Sequence, residues 1–254
     1  MGSTKIQRRF DRSAAHYDQF SGLHRVIADK LFDRVSRESQ PSSLLDVGCG
    51  TGYLTGKLKE HFPQSKIIGL DFSAGMIKVA GSRNNSIAWV LADNNNLPFS
   101  DGEFSLLVSN LAYQWSEDLF RSFSEAWRVL APGASLSCTL FGYHTCQELF
   151  YALNGAKAKD LQFNRLPNEA QVRGALTLSG FKDPQIQSER IPIGFSSMYE
   201  LIYWLKSIGA NNLSYEGYLG PAALSQASSI YNHKFPYAQG VEATFEVIWA
   251  YVKK

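Results

Sequence analysis

From residue 43 to residue 141 the chain alternates between short apolar runs and stretches whose apolar residues recur every three or four positions. The runs Ser43–Val47, Lys66–Asp71, Ile87–Leu91, Phe104–Ser109 and Ser135–Phe141 predict strands. Between them, Tyr53–His61 predicts a helix. A second helix begins after the capping residue Ser73 and runs to about Ser82, with Met76, Ile77 and Val79 facing inward. A third spans Glu117–Leu130 and is stopped by Pro132-Gly133. Strands that are apolar from end to end, with helices between them, predict a parallel sheet covered on both faces.

The flanks read differently. Residues 5–37 predict two helices, with Leu23, Ile27 and Leu31 four residues apart, and Ser39-Gln40-Pro41-Ser42 breaks the chain before the first strand. Asn168–Gly180 predicts a helix, Phe181–Ile193 a sixth strand and Val241–Tyr251 a seventh. Between the last two, Gly194–Gly240 is too long for a connector, and Tyr199, Ile202, Tyr203 and Leu205 follow helical spacing. The organisation expected is one domain over residues 1–254. Residues 5–40 form an N-terminal helical lid, 43–193 and 241–254 the core, and 194–240 a helical lid insertion.

Composition narrows this picture. A chain with 44% hydrophobic and 19% charged residues builds a packed core. No run of eighteen apolar residues and no basic-then-apolar leader is present, so a cytoplasmic protein away from membranes is expected. Cys49, Cys138 and Cys146 form no C-x-x-C pair and the histidines are scattered, which argues against a disulfide frame or a metal site. The net charge of +2 does not suggest a nucleic-acid binder. Residues 1–37, however, carry eight basic against four acidic side chains, a local excess of +4. This is either a solvated helical face or a docking patch for an acidic partner.

The chemistry concentrates at Ser43–Leu54, SLLDVGCGTGYL, where a strand runs into Gly48, Gly50 and Gly52 and then into a helix. Nineteen residues beyond Gly52, Asp71 ends the next strand, where an acid can accept both hydroxyls of a ribose. Dinucleotide sites read G-x-G-x-x-G and seat a pyrophosphate on the helix N-terminus. Here the pattern is G-x-G-x-G with Asp46 just ahead of it, which suits a ligand with an ammonium group and no phosphate.

Asp46, Gly48, Gly50 and Gly52 resemble the first motif, D-x-G-x-G-x-G, of the class I S-adenosylmethionine methyltransferases. That resemblance implies a Rossmann-like, seven-stranded, mostly parallel α/β sheet with helices on both faces, its last strand antiparallel beside the sixth. It also implies S-adenosyl-L-methionine as cofactor, S-adenosyl-L-homocysteine as product, and no metal. Asp46 and the loop Gly48, Cys49, Gly50 and Gly52 would hold the amino-acid end, and Asp71 the ribose. Phe72 and Met76 would cover the adenine, Ala92, Asp93 and Asn94 would meet its amino group, and Asn110 would lie at the sulfonium. The alternatives are a loop-capping role for Asp93 and an ordinary turn at Asn110.

Three further stretches narrow the resemblance: Phe10–Asp18 with Leu23-His24-Arg25, Asn110–Trp115 with Glu117-Asp118-Leu119, and Trp204–Asn211. Together they look like the malonyl-[acyl-carrier-protein] O-methyltransferases of biotin synthesis, over about residues 5–252. Departures are His24 where glutamine is common and Ser13 where alanine is common. The resemblance implies methyl esterification of the free malonyl carboxylate on an acidic acyl carrier protein, by an enzyme expected to be a monomer. Tyr17, Gln114 and Trp115 are the candidates for holding that carboxylate, with Arg12, His16, Trp204 and Lys206 around the substrate. Two other readings share the cofactor residues: a small-molecule, quinone-type C- or O-methyltransferase, and a non-catalytic cofactor-binding module. A nucleic-acid methyltransferase is disfavoured, since Asn110-Leu111-Ala112-Tyr113 stands where N/D-P-P-Y/F would be.

Overall fold

The computed structural model describes residues 2–156, 166–209 and 220–254. Three helices come first, α1 (Gly2–Ser13), α2 (Tyr17–Phe20) and α3 (Gly22–Val35). The alternating region follows as β1 (Ser43–Val47), α4 (Tyr53–His61), β2 (Lys66–Asp71), α5 (Ala74–Arg83), β3 (Ala88–Leu91), β4 (Phe104–Asn110), α6 (Leu119–Val129) and β5 (Leu130–Phe141). A 3-10 turn, Tyr113–Trp115, sits between β4 and α6. Then come α7 (Gln147–Gly155), α8 (Glu169–Leu178), β6 (Lys182–Phe195), α9 (Met198–Ser207), α10 (Pro221–Lys234), β7 (Pro236–Tyr237) and β8 (Gly240–Lys253).

The sheet runs β3-β2-β1-β4-β5-β8-β6, with β7 paired to β8. Pairings among the first five strands are parallel. Backbone bonds link Gly133 to Lys254 and Gly142 to Glu246, so the chain after β4 and β8 run in opposite directions, as expected for an inserted last strand. Leu45 and Val47 join Phe123, Ala126, Val172 and Leu176 in one core. Leu44 and Asp46 point the other way by strand alternation and are buried too, so β1 is covered on both faces. Strand order reverses between β1 and β4, which is where a parallel sheet opens a crevice at its carboxyl ends.

Four sequence expectations need correction. The first 37 residues make three helices, because the chain breaks at Ala14–His16 and again at Ser21. The sheet has eight strands, because Pro236–Tyr237 folds back on β8 as a short hairpin. Helix α6 starts at Leu119, after Asp118 caps it by accepting from the Arg121 amide at 3.0 Å. Finally, Pro132-Gly133 lies within β5: pairing jumps from Phe104–Leu130 to Leu106–Ser135, and the extra residues bulge out at Gly133, φ +78°.

The chain forms two compact units. The first is Met1–Leu140, Glu169–Gln187 and Ile248–Lys254; the second is Phe141–Asn168 and Ser188–Val247. Within the second, α10 packs on α7 and α9. Ser197 caps α9 by accepting from the Glu200 amide, and Pro221 opens α10 with its φ preset. The span expected to be a lid insertion is thus helical on either side of 210–219, which lie outside the described residues, as do Ala210 and Asn211 of the third diagnostic stretch.

Within the first unit, α1 is fastened to α5. Asp11 accepts from Ser73 Oγ at 2.6 Å and from the Gly75 amide at 3.0 Å. A Cβ on Gly75 would come within 2.9 Å of the Asp11 backbone, so glycine allows the close approach. Asp11→Ala removes this cross-helix cap. It is expected to cost about 1 kcal/mol in chemical denaturation and to speed proteolytic clipping before residue 20.

Candidate functional site

The turn after β1 holds three glycines with positive φ: Gly48 at +73°, Gly50 at +54° and Gly52 at +84°. They serve different purposes. A Cβ on Gly48 would collide with Ala112 Cβ, and one on Gly52 would lie 2.7 Å from the Trp89 ring. Nothing lies within 4 Å of a Cβ on Gly50. Two glycines therefore answer to packing, while the third faces open space where a ligand can approach the backbone.

The loop's donors are engaged internally. The amides of Gly48 and Cys49 donate to the Leu70 carbonyl at 2.7 and 2.9 Å, and that of Gly52 donates to the Cys49 carbonyl at 2.9 Å. The Gly50 amide donates to Asp71 Oδ2 at 2.9 Å. Such a loop does not present the row of N–H groups that a pyrophosphate needs. Asp71 Oδ1 accepts from the Ser73 amide at 2.8 Å, so the carboxylate at the ribose position also organises the turn.

Asp46 is buried at the end of β1 and accepts from Thr55 Oγ1 at 2.6 Å. Burial raises its pKa to about 7, against the lowering effect of the Thr55 hydrogen bond and with a further rise from Asp71. Asp71 is raised to about 6, again by burial, with the amides of Ser73 and Gly50 pulling the other way. Two buried acids of this kind are poised for a cationic ligand.

A cleft opens over these residues, lined on one side by Asp46, Gly48–Thr51, Tyr53, Leu54 and Asn110, and on the other by residues of the second and third helices. Tyr17, Asp18, His24 and Arg25 come from those helices. Burial, then the charges of Asp71 and Asp18, keep the Tyr17 phenol protonated and a hydrogen-bond donor. Burial lowers His24 to about 4, so the ring is neutral at pH 7. Asp18 is held in place by Thr51 Oγ1 at 2.7 Å and by ion pairs to Arg83 and Arg25. Burial alone would raise Asp18; the Thr51 and Arg83 hydrogen bonds and the two guanidinium charges outweigh it and lower it.

At the end of β4, Asn110 Nδ2 donates to the His24 carbonyl at 3.1 Å and Oδ1 accepts from Thr139 at 2.9 Å. Leu111 then adopts φ +53°, a left-handed conformation that a leucine holds only under constraint from its surroundings. The turn that follows buries Gln114, whose amide donates to the Leu111 carbonyl at 2.8 Å while Oε1 has no protein partner.

Phe72, Met76 and Trp115 do not line the cleft; they lie together in a cluster with Ile6, Phe10 and Ala14, against which the cleft residue Tyr17 also packs. Phe10 meets Phe72 and Trp115 edge to face at 5.7 and 5.6 Å. Ala92 is tied to β2 through its amide. Asp93 Oδ1 accepts from the Asn95 amide and side chain at 2.8 and 2.9 Å, and Asn94 Oδ1 accepts from Ser122 at 3.2 Å. Arg12 and His16 are exposed and do not line the cleft. Trp204 and Lys206 belong to the second unit, where Trp204 packs on Phe195 and Phe245 and Lys206 is exposed. Sequence reasoning missed Thr55, Asp18, Asp11 and Trp89. Thr55 is foreseeable as the first-turn hydroxyl of the helix behind Asp46; the other three depend on long-range contacts.

Between about pH 4 and 7 the unfolded chain releases a proton that folded Asp46 retains, so this residue makes the free protein less stable as pH rises through that window. Asp46→Asn keeps an acceptor for Thr55 and lacks that titration. The unfolding midpoint of the variant should therefore rise relative to wild type from pH 4 to 7 and stay level above it, as read by thermal scans.

A methyltransferase-domain profile matches residues 44–133. The Malonyl-[acyl-carrier protein] O-methyltransferase of Hahella chejuensis is 34% identical over 249 residues, covering 96% of this chain and 88% of that protein. That of Geobacter sulfurreducens is 29% identical over 262 residues and covers 98% of both. Among solved structures, the YcgJ protein of Bacillus subtilis matches with a TM-score of 0.65 at 16% identity, over 89% of this chain and 97% of that one. Phosphoethanolamine N-methyltransferase 2 of Haemonchus contortus, solved with S-adenosyl-L-methionine, gives 0.61 at 19% identity, over 96% and 57%. The structural matches share the fold; near-full-length identity to the curated relatives, over the glycine turn and cleft just described, shows that the chain belongs to the malonyl-[acyl-carrier protein] O-methyltransferase family.

Proposed function

We propose that this enzyme uses S-adenosyl-L-methionine to convert the free carboxylate of malonyl-acyl carrier protein to its methyl ester, an early step of biotin synthesis, as a cytoplasmic monomer. The observation that carries this reading is near-full-length identity to relatives of that name. The loop supports it, with an open face at Gly50 and two buried acids behind it.

The cofactor supplies, when bound, a methyl group on a positively charged sulfur. This chain's residues bind it and place the acceptor. Asp46, with Gly48, Cys49, Gly50 and Gly52, takes the amino-acid end, and Asp71 takes the ribose through lone pairs not used by the Gly50 and Ser73 amides. Phe72 and Met76 cover the adenine, Ala92, Asp93 and Asn94 meet its edge, and Asn110 stands at the sulfonium. An ionised carboxylate needs no general base, and neutral His24 fits that requirement. The acceptor must instead be stripped of water and aimed. Tyr17, which stays protonated, and the amide of Gln114 are the donors for that carboxylate, with Trp115 as an apolar wall. Residues 5–40 and 194–240 serve as the lid, with Arg12, His16, Trp204 and Lys206 on the substrate side. The stripe Lys5, Arg8 and Arg12, exposed on α1, is the landing surface for the acidic carrier.

The deciding experiment is transfer of labelled methyl to malonyl-carrier protein beside acetyl-carrier protein. Base-labile label on the malonyl form alone is the expected result. No transfer to either, from protein that binds S-adenosylhomocysteine, would sink the acceptor assignment in favour of a small-molecule methyltransferase. Tyr17→Phe should lower kcat/KM for the malonyl acceptor about tenfold or more. Arg8→Glu should raise KM for the carrier-bound substrate and leave a short malonyl thioester unaffected.

A further inference from the structure

The loop after β3 and the turn after β4 are joined by one side chain, Asn95. Its backbone amide and its Nδ2 both donate to Asp93 Oδ1, at 2.8 and 2.9 Å, and Nδ2 also donates to Asn94 Oδ1 at 3.2 Å. On the other side of the amide, Oδ1 accepts from Ser116 Oγ at 3.1 Å and from Ser122 Oγ at 2.9 Å. A primary amide has two N–H donors and two acceptor lone pairs, and here all four are used. The amide cannot be turned over, because its oxygen would then face the Asp93 carboxylate.

The two ends of this link fall on different parts of the proposed site. Asp93 is exposed, and both of its bonds to Asn95 fall on Oδ1, which leaves Oδ2 for a ligand's donor. Ser116 follows directly on Gln114 and Trp115, and its own amide closes their turn by donating to the Tyr113 carbonyl at 3.0 Å. Two further bonds hold the loop against α6: Arg121 Nε donates to the Asn95 carbonyl at 2.9 Å, and the Leu97 amide donates to Glu125 Oε2 at 2.8 Å. The helix thus holds the backbone of the loop, and the Asn95 amide holds the Asp93 carboxylate to the turn.

We infer that Asn95 is a positioning residue for methyl transfer: it sets the Asp93 carboxylate and the Gln114–Trp115 turn in one register, so that the cofactor's adenine end and the acceptor strengthen each other's binding. This rests on the cofactor and acceptor roles proposed above. An adenine amino group on Asp93 Oδ2 restrains that carboxylate, the carboxylate restrains the Asn95 amide, and the amide restrains Ser116 and the turn. Whichever ligand binds second then meets a chain with less freedom left to lose. By linkage the strengthening is equal in both directions.

The test is calorimetric titration of S-adenosylhomocysteine into the intact protein, alone and with saturating malonyl-carrier protein. In wild type the carrier-bound acceptor should tighten S-adenosylhomocysteine about fivefold or more. Ser116→Ala keeps the bonds between Asp93 and Asn95, so its Kd without the acceptor should stay within about twofold of wild type, while the tightening is lost. Asn95→Ala should lose the tightening and also weaken S-adenosylhomocysteine alone, by about 3- to 10-fold. If Asn95→Ala does not fold, Ser116→Ala carries the comparison. Weaker binding with the wild-type tightening intact in the variants would overturn the inference and make Asn95 a support for the loop alone. Equal Kd values with and without the acceptor, in wild type that methylates malonyl-carrier protein, would overturn it as well. Wild type that binds S-adenosylhomocysteine and transfers no methyl to malonyl-carrier protein would remove the acceptor role itself, and this inference with it.

Discussion

The carboxylate of Asp71 ties together the parts on which the cleft is built. One oxygen accepts from the Gly50 amide in the turn after β1, the other from the Ser73 amide at the start of α5. The turn after one strand and the helix after the next are thereby referred to a single buried acid. Burial opposes the charge, and the two amides oppose burial, which leaves the group titrating at about 6. A charge held so close to its tipping point is costly in the free protein and favourable once a ligand supplies donors. Asp46 repeats the arrangement one strand over, with Thr55 as its single side-chain donor.

Two further aspartates fasten the N-terminal helices to this frame. Asp11 caps the first turn of α5, and Asp18 joins Thr51 of the glycine turn to Arg83 and Arg25. Between these anchors, Phe10 closes over Phe72 and Trp115. The proposed adenine-covering residues are thus already in apolar contact with α1, while the amino-acid side of the site faces an open cleft. The polar ties of Asp11 and Asp18 fix where α1 and α2 sit, and the apolar cluster of Ile6, Phe10, Ala14 and Met76 packs beside them.

The chemistry asked of the proposed acceptor explains what the cleft lacks. Methylating a carboxylate needs an ionised oxygen, an oriented approach and exclusion of water, and no proton has to leave. His24 is held neutral by burial and Tyr17 is held protonated, so neither of these two cleft side chains changes charge at neutral pH. A quinone-type acceptor would call for a base whose pKa lies near 7. Asp46 has such a value, but it is tied to Thr55 behind the glycine turn.

Much of this was legible in the chain itself. Continuous apolar runs predicted the parallel strands, and they form because a strand covered on both faces needs apolar side chains at every position. The spacing of Asp46, the three glycines and Asp71 marked the site, since a tight turn and an acid at the next strand's end are local demands on residue type. What the sequence could not display were contacts between residues far apart. Gly50 reads like its two neighbours, yet only Trp89 and Ala112 show that Gly52 and Gly48 are packing glycines and Gly50 is the open one. Asp11 and Asp18 read as helix-surface charges until the fold brings Ser73 and Thr51 beside them. Arg25 read as one more charge in a basic N-terminus, and only burial of its Nε distinguishes it. The Pro132-Gly133 stop became a bulge because the neighbouring strands supplied pairing on both sides of it. Residue type and spacing determine which strands and turns form; which donor is left unmatched, and which glycine faces a ligand, is decided by what tertiary packing places against it.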